Sequence, residues 1–212
     1  MEKLPMVREL CIDFAGMDPV YEPIAIRPTM HYTMGGVHTD KDGKTPIRGL
    51  FAAGEAGCVS IHGANRLGSN SLAEILVFGA RAGKTAAEYA AQAKPASPDK
   101  LKSLAKDKMD IIQKRYIRTE NGKERIGAIL SELRKTMDEK VGIYRTEEGL
   151  KDALQVIQRL KERFNRIRLT KQSKVFNTEL VNAMELDNML DVAEVVALGA
   201  LTRKESRGGH AR

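Results

Sequence analysis

Cysteine is scarce in this chain. Two residues of 212, Cys11 and Cys58, carry a thiol, and neither belongs to a CxxC pair. That excludes a disulfide framework and suits a reducing compartment. No apolar run is long enough to span a bilayer. The opening Met1-Glu2-Lys3-Leu4 has no apolar core region of a secretory signal. The four histidines stand apart, so no Cys/His cluster has metal-ligand spacing. Internal repeats and low-complexity tracts are missing. So is the GxGxxG fingerprint that opens a dinucleotide-binding βαβ unit.

What is present is an ordinary globular composition, 42% hydrophobic and 30% charged, with a formal net charge of +7. That permits one large or two small domains with real cores. The positive balance raises a nucleic-acid reading. Its densest segment, however, sets Arg159, Lys161, Arg163, Arg166 and Arg168 along one predicted helix. They alternate with an apolar stripe and have only Phe164 as an interleaved aromatic. A solvated or partner-facing helix surface accounts for that pattern without nucleic acid.

Glycine, histidine and polar residues concentrate between His31 and Leu72, in HYTMGGVHTDKDGKTPIRGLFAAGEAGCVSIHGANRLGSNSL. The run Gly49-Leu50-Phe51-Ala52-Ala53, closed by Gly54-Glu55, has the length and flanks of a buried parallel strand. Ligands of open α/β sheets sit beyond the carboxyl ends of strands. Glu55 there either accepts hydrogen bonds from cofactor hydroxyls or is a solvated turn carboxylate. Ser71 followed by Glu74 has the spacing of a capping box, predicting a helix from about Leu72 to Ala91. Its first turn, approached through Gly68, Ser69 and Asn70, offers free N–H groups and the positive end of a dipole. A group that gains negative charge, such as a reduced flavin, suits it, although an ordinary N-cap has the same pattern. Arg66 has the planar fork for a carboxylate and His31 can donate to a second one. Taken singly, a surface salt bridge and a core histidine explain them as well. Gly35-Gly36 lets the backbone lie against a flat ring.

Together, HYTMGG, GLFAAGE and HGANRLGSNSL resemble the flavoprotein subunit of succinate dehydrogenase and fumarate reductase, and the resemblance extends from the N-terminus to Arg212. L-aspartate oxidase is a near relative with similar motifs. The resemblance implies that His31 and Arg66 bind a dicarboxylate, and that Glu55, Ser71 and Leu72 contact FAD, with Gly35 and Gly36 beside it. It implies an oxidoreductase interconverting succinate and fumarate, with hydride passing between flavin and substrate. Electrons would leave for an iron–sulfur subunit and membrane anchor subunits, on the cytoplasmic face of a membrane. Without the fingerprint, the chain is expected to be the C-terminal part of that subunit, with its proton donor elsewhere and no activity alone. Two other readings stay open: an L-aspartate oxidase type of flavoenzyme, against which stands Gly68 where that enzyme has Ala, and a non-catalytic helical interaction module.

The expected fold is the α/β portion of a Rossmann-like FAD-binding domain, residues 1–94, followed by an all-α helical bundle, residues 95–212. Residues 1–20 read as a short helix ending near Ala15-Gly16, which the resemblance implies is the exit from the capping domain. Pro23 and Pro28 flank an extended segment. Val37 to Ile47 reads as a hairpin turning at Asp42-Gly43, with His38 on its surface. Gly79 and Gly83 predict close packing of the long helix on a sheet. Ser97-Pro98 opens a helix with the stripe Leu101, Leu104, Ile111 and Ile112, ending before Asn121-Gly122. The stripe Ile126, Ile129, Leu130, Leu133 and Met137 predicts a second, ending near Gly142. Thr146 caps a third, with Leu150, Leu154, Ile157, Leu160, Phe164 and Ile167. Asn177 opens a fourth, with Leu180, Val181, Met184, Leu190, Ala193, Val196 and Leu201 as its apolar positions. These stripes predict a bundle core.

Overall fold

A proline at the first helical position and a left-handed glycine past the last delimit the first helix, α1 (Pro5–Ala15). Gly16, at φ 65°, returns its N–H to the carbonyls of Cys11 and Ile12. The computed structural model describes residues 3–26, 28–117, 122–171, 173 and 175–212. Among these residues, α1 is followed by a two-stranded ladder of β1 (Val37–His38) and β2 (Gly57–Cys58), and then by α2 (Asn70–Gln92), α3 (Pro98–Ile112), α4 (Ile126–Lys140), α5 (Glu147–Phe164) and α6 (Thr178–Thr202). The expected end of α3 at Asn121 lies outside the described residues.

The predicted strand at Gly49–Ala53 does not form. Gly49 and Gly54 both have positive φ, 83° and 70°, which breaks the extended run at each end. Leu50 closes a turn onto the Ile47 carbonyl, and only Phe51 makes a ladder contact, an antiparallel bridge to Lys44. Gly54–Ala56 coils into one 3₁₀ turn. The expected turn at Asp42-Gly43 is present, held by the Asp40 side chain, which accepts from the N–H groups of Asp42 and Lys44 at 2.8 and 2.9 Å. Its arms do not zip into a hairpin. Val37 and His38 pair instead, in parallel, with Gly57 and Cys58.

That turn is pinned to α2. Arg81 donates from Nε to the Lys41 carbonyl and from Nη2 to Asp42, both at 2.7 Å. A side chain on Gly43 would meet Ala82 Cβ at 2.4 Å. The glycines that predicted close packing, Gly79 and Gly83, face open space. On α2 it is therefore Ala82, not the glycine pair, that takes the close contact.

In the C-terminal half, local sequence chemistry sets the helix starts. Ser97, Thr146 and Asn177 each accept a hydrogen bond from the N–H three residues on, at 3.2, 3.1 and 3.0 Å. The core lies between α4, α5 and α6 and centres on Ile129, Leu133, Leu150, Ile157, Leu160, Phe164, Leu186 and Leu190. Tyr116, on a π-helical turn after α3 (Gln113–Ile117), joins it edge-on to Phe164 and donates to Asp187 at 2.7 Å. Burial first, then that hydrogen bond, pushes the Tyr116 hydroxyl up to about 12.

Two predicted stripes need correction. Leu101, Leu104 and Ile111 of α3 are exposed, and only Ile112 packs on the core. On α6 the buried row is Ala183, Leu186, Leu190, Ala193, Ala197 and Ala200, with Val181 exposed. That helix carries large apolar residues on its exposed side as well, among them Val192, Val195 and Leu198, so periodicity alone cannot choose its face. Small alanines let it approach α5.

The basic residues of α5 meet acids of their own chain. Arg163 forms a two-pronged pair with Glu124 and a further bond to Glu132, which also receives Arg159. Lys161 pairs with Asp191 and Glu194. Beyond α6 the chain folds back as a C-terminal strap. Arg212 donates to the carbonyls of Ala200, Leu201 and Arg203, satisfying the orphan end of α6. Ala211 pairs with Tyr144. Among the described residues no helix is long and apolar enough to cross a membrane.

Candidate functional site

The segments flanking α2 converge on one buried carboxylate. Glu74 is 4% exposed. Its Oε2 accepts from the Tyr32 hydroxyl at 2.8 Å and lies 2.6 Å from His62 Nε2. On the far side of that ring, Asn70 Nδ2 stands 3.4 Å from Nδ1. An amide donor there leaves Nδ1 as acceptor and puts the ring proton on Nε2, facing the carboxylate. Tyr32 and His62 meet edge-on, centroids 5.6 Å apart. Burial, then the bond to Glu74, pushes the Tyr32 hydroxyl up to about 12, so it stays a donor.

This overturns the predicted capping box. The helix begins two residues earlier, at Asn70, after Ser69 at φ 61°, and no side chain caps it. Ser71 lies inside the first turn, and Glu74 faces the interior rather than reaching back to a cap. The same Ser-x-x-Glu spacing serves both arrangements, and only the helix start distinguishes them.

Arg66 lies next to this cluster. Its guanidinium carbon sits 4.6 Å from the centre of the Tyr32 ring, a cation–π distance. Nη1 donates to the adjacent Leu67 carbonyl at 3.3 Å. Nε is buried with no partner, alone in this among the buried side-chain nitrogens and oxygens of the described residues. Buried polar groups are nearly always paired, so this donor calls for an acceptor. His31, the other predicted carboxylate ligand, is exposed and makes no side-chain hydrogen bond to a described residue. Glu55 accepts from the Thr33 N–H at 2.9 Å, tying HYTMGG to the 3₁₀ turn.

The predicted cofactor contacts can be tested against local space. Gly35 and Gly36 have φ of 113° and 124°. A side chain on Gly36 would strike the Ala56 carbonyl at 2.6 Å, whereas Gly35 faces open space. Leu72 is 66% exposed beside the uncapped start of α2. An open glycine backbone, an uncapped helix terminus and an apolar side chain at its edge fit a flat, partly anionic ring system such as a flavin.

The C-terminal strap reaches this region too. Gly208, at φ 59°, packs so tightly on the HGANR loop that a Cβ would fall 1.9 Å from the Ala64 carbonyl. Nearby, buried His210 accepts from Arg145 Nη1 at 2.7 Å and donates to the Arg203 carbonyl at 3.1 Å. A cavity of about 490 Å³ opens between the strap, α6 and Met30, Tyr32 and Thr33. Sequence reasoning missed Tyr32, His62, Glu74, Gly208 and His210. Tyr32 neighbours a chosen ligand, and His62 opens a chosen motif. The strap carried no local signal of where it docks.

Residues 130–212 match the family described as fumarate reductase flavoprotein C-term, and residues 1–72 match the FAD binding domain. Over its whole length the chain is similar to flavoprotein subunits of fumarate reductase and succinate dehydrogenase. It is 47% identical over 213 residues to the fumarate reductase flavoprotein subunit of a Serratia species, covering 100% of this chain and 35% of that protein. It is 40% identical over 222 residues to the succinate dehydrogenase flavoprotein subunit of Rickettsia conorii, covering 99% of this chain and 36% of that one. The structure of Escherichia coli quinol fumarate reductase superposes with a TM-score of 0.93 at 46% identity, over 99% of this chain and 35% of that one. The chain thus spans about a third of the length of these relatives.

Proposed function

We propose that this chain supplies the dicarboxylate clamp and part of the FAD-binding surface of an oxidoreductase that interconverts succinate and fumarate. The observation that carries this reading is the buried, partnerless Nε of Arg66. With the guanidinium stacked on Tyr32, Nε and one Nη form the two-pronged edge that a substrate carboxylate accepts. His31 donates to the second carboxylate. Two anchors fix the axis of the substrate and so its presentation to the cofactor. The cationic Arg66 also draws electron density toward its carboxylate, which favours hydride addition to the farther carbon of the double bond, β to that carboxylate, and leaves the nearer carbon to take the proton.

FAD, when bound, supplies the hydride chemistry. Gly35 and Gly36 offer bare backbone to the ring, Glu55 keeps a carboxylate oxygen for a cofactor hydroxyl, and Ser71 and Leu72 stand at the α2 terminus. The positive end of that helix stabilises charge on a reduced ring. No residue of this chain is assigned as the proton donor. Residues 1–94 form the cofactor-side domain and residues 95–212 the helical one. The partners are an iron–sulfur subunit that takes the electrons and membrane anchor subunits, which place the protein peripherally on the cytoplasmic face. The similarity to flavoprotein subunits supports these assignments.

The test is turnover of the purified flavoprotein that contains this chain. Succinate-dependent reduction of an artificial acceptor, blocked by malonate, is expected. Turnover with L-aspartate but not succinate would transfer the assignment to an L-aspartate oxidase type of enzyme.

A further inference from the structure

We propose that Glu74 and Tyr32 are positioning residues for the dicarboxylate site, Glu74 locking the Tyr32 ring so that its face holds the Arg66 guanidinium. The inference rests on the dicarboxylate reading above and adds to it what orients the arginine.

Arg66 is weakly held by its own hydrogen bonds. One nitrogen reaches a neighbouring carbonyl at 3.3 Å, and Nε reaches nothing. A long, rotamer-rich side chain so tethered would sample several orientations and lose entropy on meeting its ligand. The Tyr32 ring, 4.6 Å beneath, is what restricts it. Ring orientation is in turn fixed from two directions, by the hydroxyl bond to Glu74 and by the perpendicular His62 ring. His62 is tied to the same carboxylate oxygen. The loop carrying His31 and Tyr32 and the loop carrying His62 and Arg66 therefore share one anchor on the second turn of α2. A helix of 23 residues, clamped by Arg81 to the Asp40 turn, is a rigid support for it. A pairing that served packing alone would not need its π face under a cation whose inner nitrogen is left open.

Malonate binding to the flavoprotein holoenzyme, followed by calorimetry and by the perturbation of the flavin spectrum, tests this with a double-mutant cycle. Tyr32→Leu removes the ring face and should weaken malonate binding roughly tenfold, between the scales of an exposed and a desolvated cation–π contact. Tyr32→Phe keeps the face but frees the ring, and Glu74→Gln weakens its anchor; both should fall between wild type and Tyr32→Leu. In an Arg66→Gln background, Tyr32→Leu should add almost nothing, because the group it positions is gone. Flavin per polypeptide and the melting temperature separate this from general damage. Equal, additive losses in both backgrounds would overturn the inference, as would Tyr32→Leu binding malonate like wild type. If Tyr32→Leu does not fold, Tyr32→Phe and Glu74→Gln decide, and wild-type affinity in both overturns it. Malonate binding that Arg66→Gln weakens but no Tyr32 or Glu74 variant changes sinks the positioning role alone. Wild-type protein that binds no malonate sinks the dicarboxylate reading, and this inference with it.

Discussion

Arg66 is cationic, stacked and incompletely bonded, and substitutions there separate charge from geometry. Arg66→Lys keeps the charge but loses the planar fork. In the flavoprotein, kcat/KM for the dicarboxylate should fall by the equivalent of about 2–4 kcal/mol with flavin content unchanged, the scale of one preorganised electrostatic contact. His31→Ala removes one hydrogen bond of about 0.5–1.5 kcal/mol and should appear mainly in KM. Glu55→Gln should lower flavin occupancy instead. Steady-state kinetics with flavin quantified per polypeptide distinguishes the three. Ser71 gives a second check at this scale. As a cap it would cost about 1 kcal/mol on replacement by alanine. Inside the first turn, as found here, Ser71→Ala should change thermal stability by no more than a few tenths of a kcal/mol, because alanine is the better helix former. The motif singled out Arg66 and His31, and the structure sets Arg66 over the Tyr32 ring with its Nε open and leaves His31 exposed. Glu74 was not legible as an anchor, since its spacing from Ser71 also spells a cap and nothing local reports which face of α2 is turned inward.

Among the elements, those with chemically marked ends were legible. Gly16, Ser97-Pro98, Thr146 and Asn177 act through bonds within a few residues of themselves, so the sequence specifies them locally. The Gly49–Ala53 strand was misread because an apolar run reports burial preference, whereas the positive φ of Gly49 and Gly54 is set by the turns they close. The caps should also differ in worth. Asn177 is buried, accepts from the Leu180 N–H, and donates to the carbonyls of Lys171 and Ser173 at 2.9 and 2.8 Å. Ser97 heads a helix with no buried residue. Asn177→Ala should therefore cost about 1–2 kcal/mol of bundle stability and Ser97→Ala clearly less, measured by urea unfolding of the two variants.

Over the whole molecule, a net charge of +7 coexists with carboxylates held in their charged form by nearby donors. Hydrogen bonds from Arg163 hold Glu124, and those from Arg159 and Arg163 hold Glu132, below the usual glutamate range. Lys151 does the same for Glu147. For Glu179 burial is the largest influence and acts upward, but the N–H groups of Lys171 and Thr170, the Thr170 hydroxyl and the Lys171 charge together outweigh it. A carboxylate whose folded value is depressed contributes stability above its unfolded value, and that stability is lost as pH falls through the folded value. The melting temperature should therefore stay level down to about pH 5 and decline below it, gently, because solvent screens the exposed pairs. Glu132→Gln should flatten the decline in a pH series of thermal melts. The bundle itself was legible because α4 and α5 carry clear stripes. The cofactor-side half was legible only by its motifs, since its few ladder contacts are long-range and leave no local pattern.

The contact of Gly208 with Ala64 has a consequence for biosynthesis. The ribosome emits the HGANR loop early and Gly208 much later, at roughly 5–20 residues per second. For that interval of several seconds the loop lacks the strap that closes over it, and it is exposed to proteases and chaperones. Nascent chains stalled before Gly208 leaves the exit tunnel should be cut near Ala64, and chains stalled after it has emerged should resist. Completion of the loop is thus timed by translation, and a synonymous-codon pause upstream of Arg207 would lengthen the vulnerable period without altering one residue of the product.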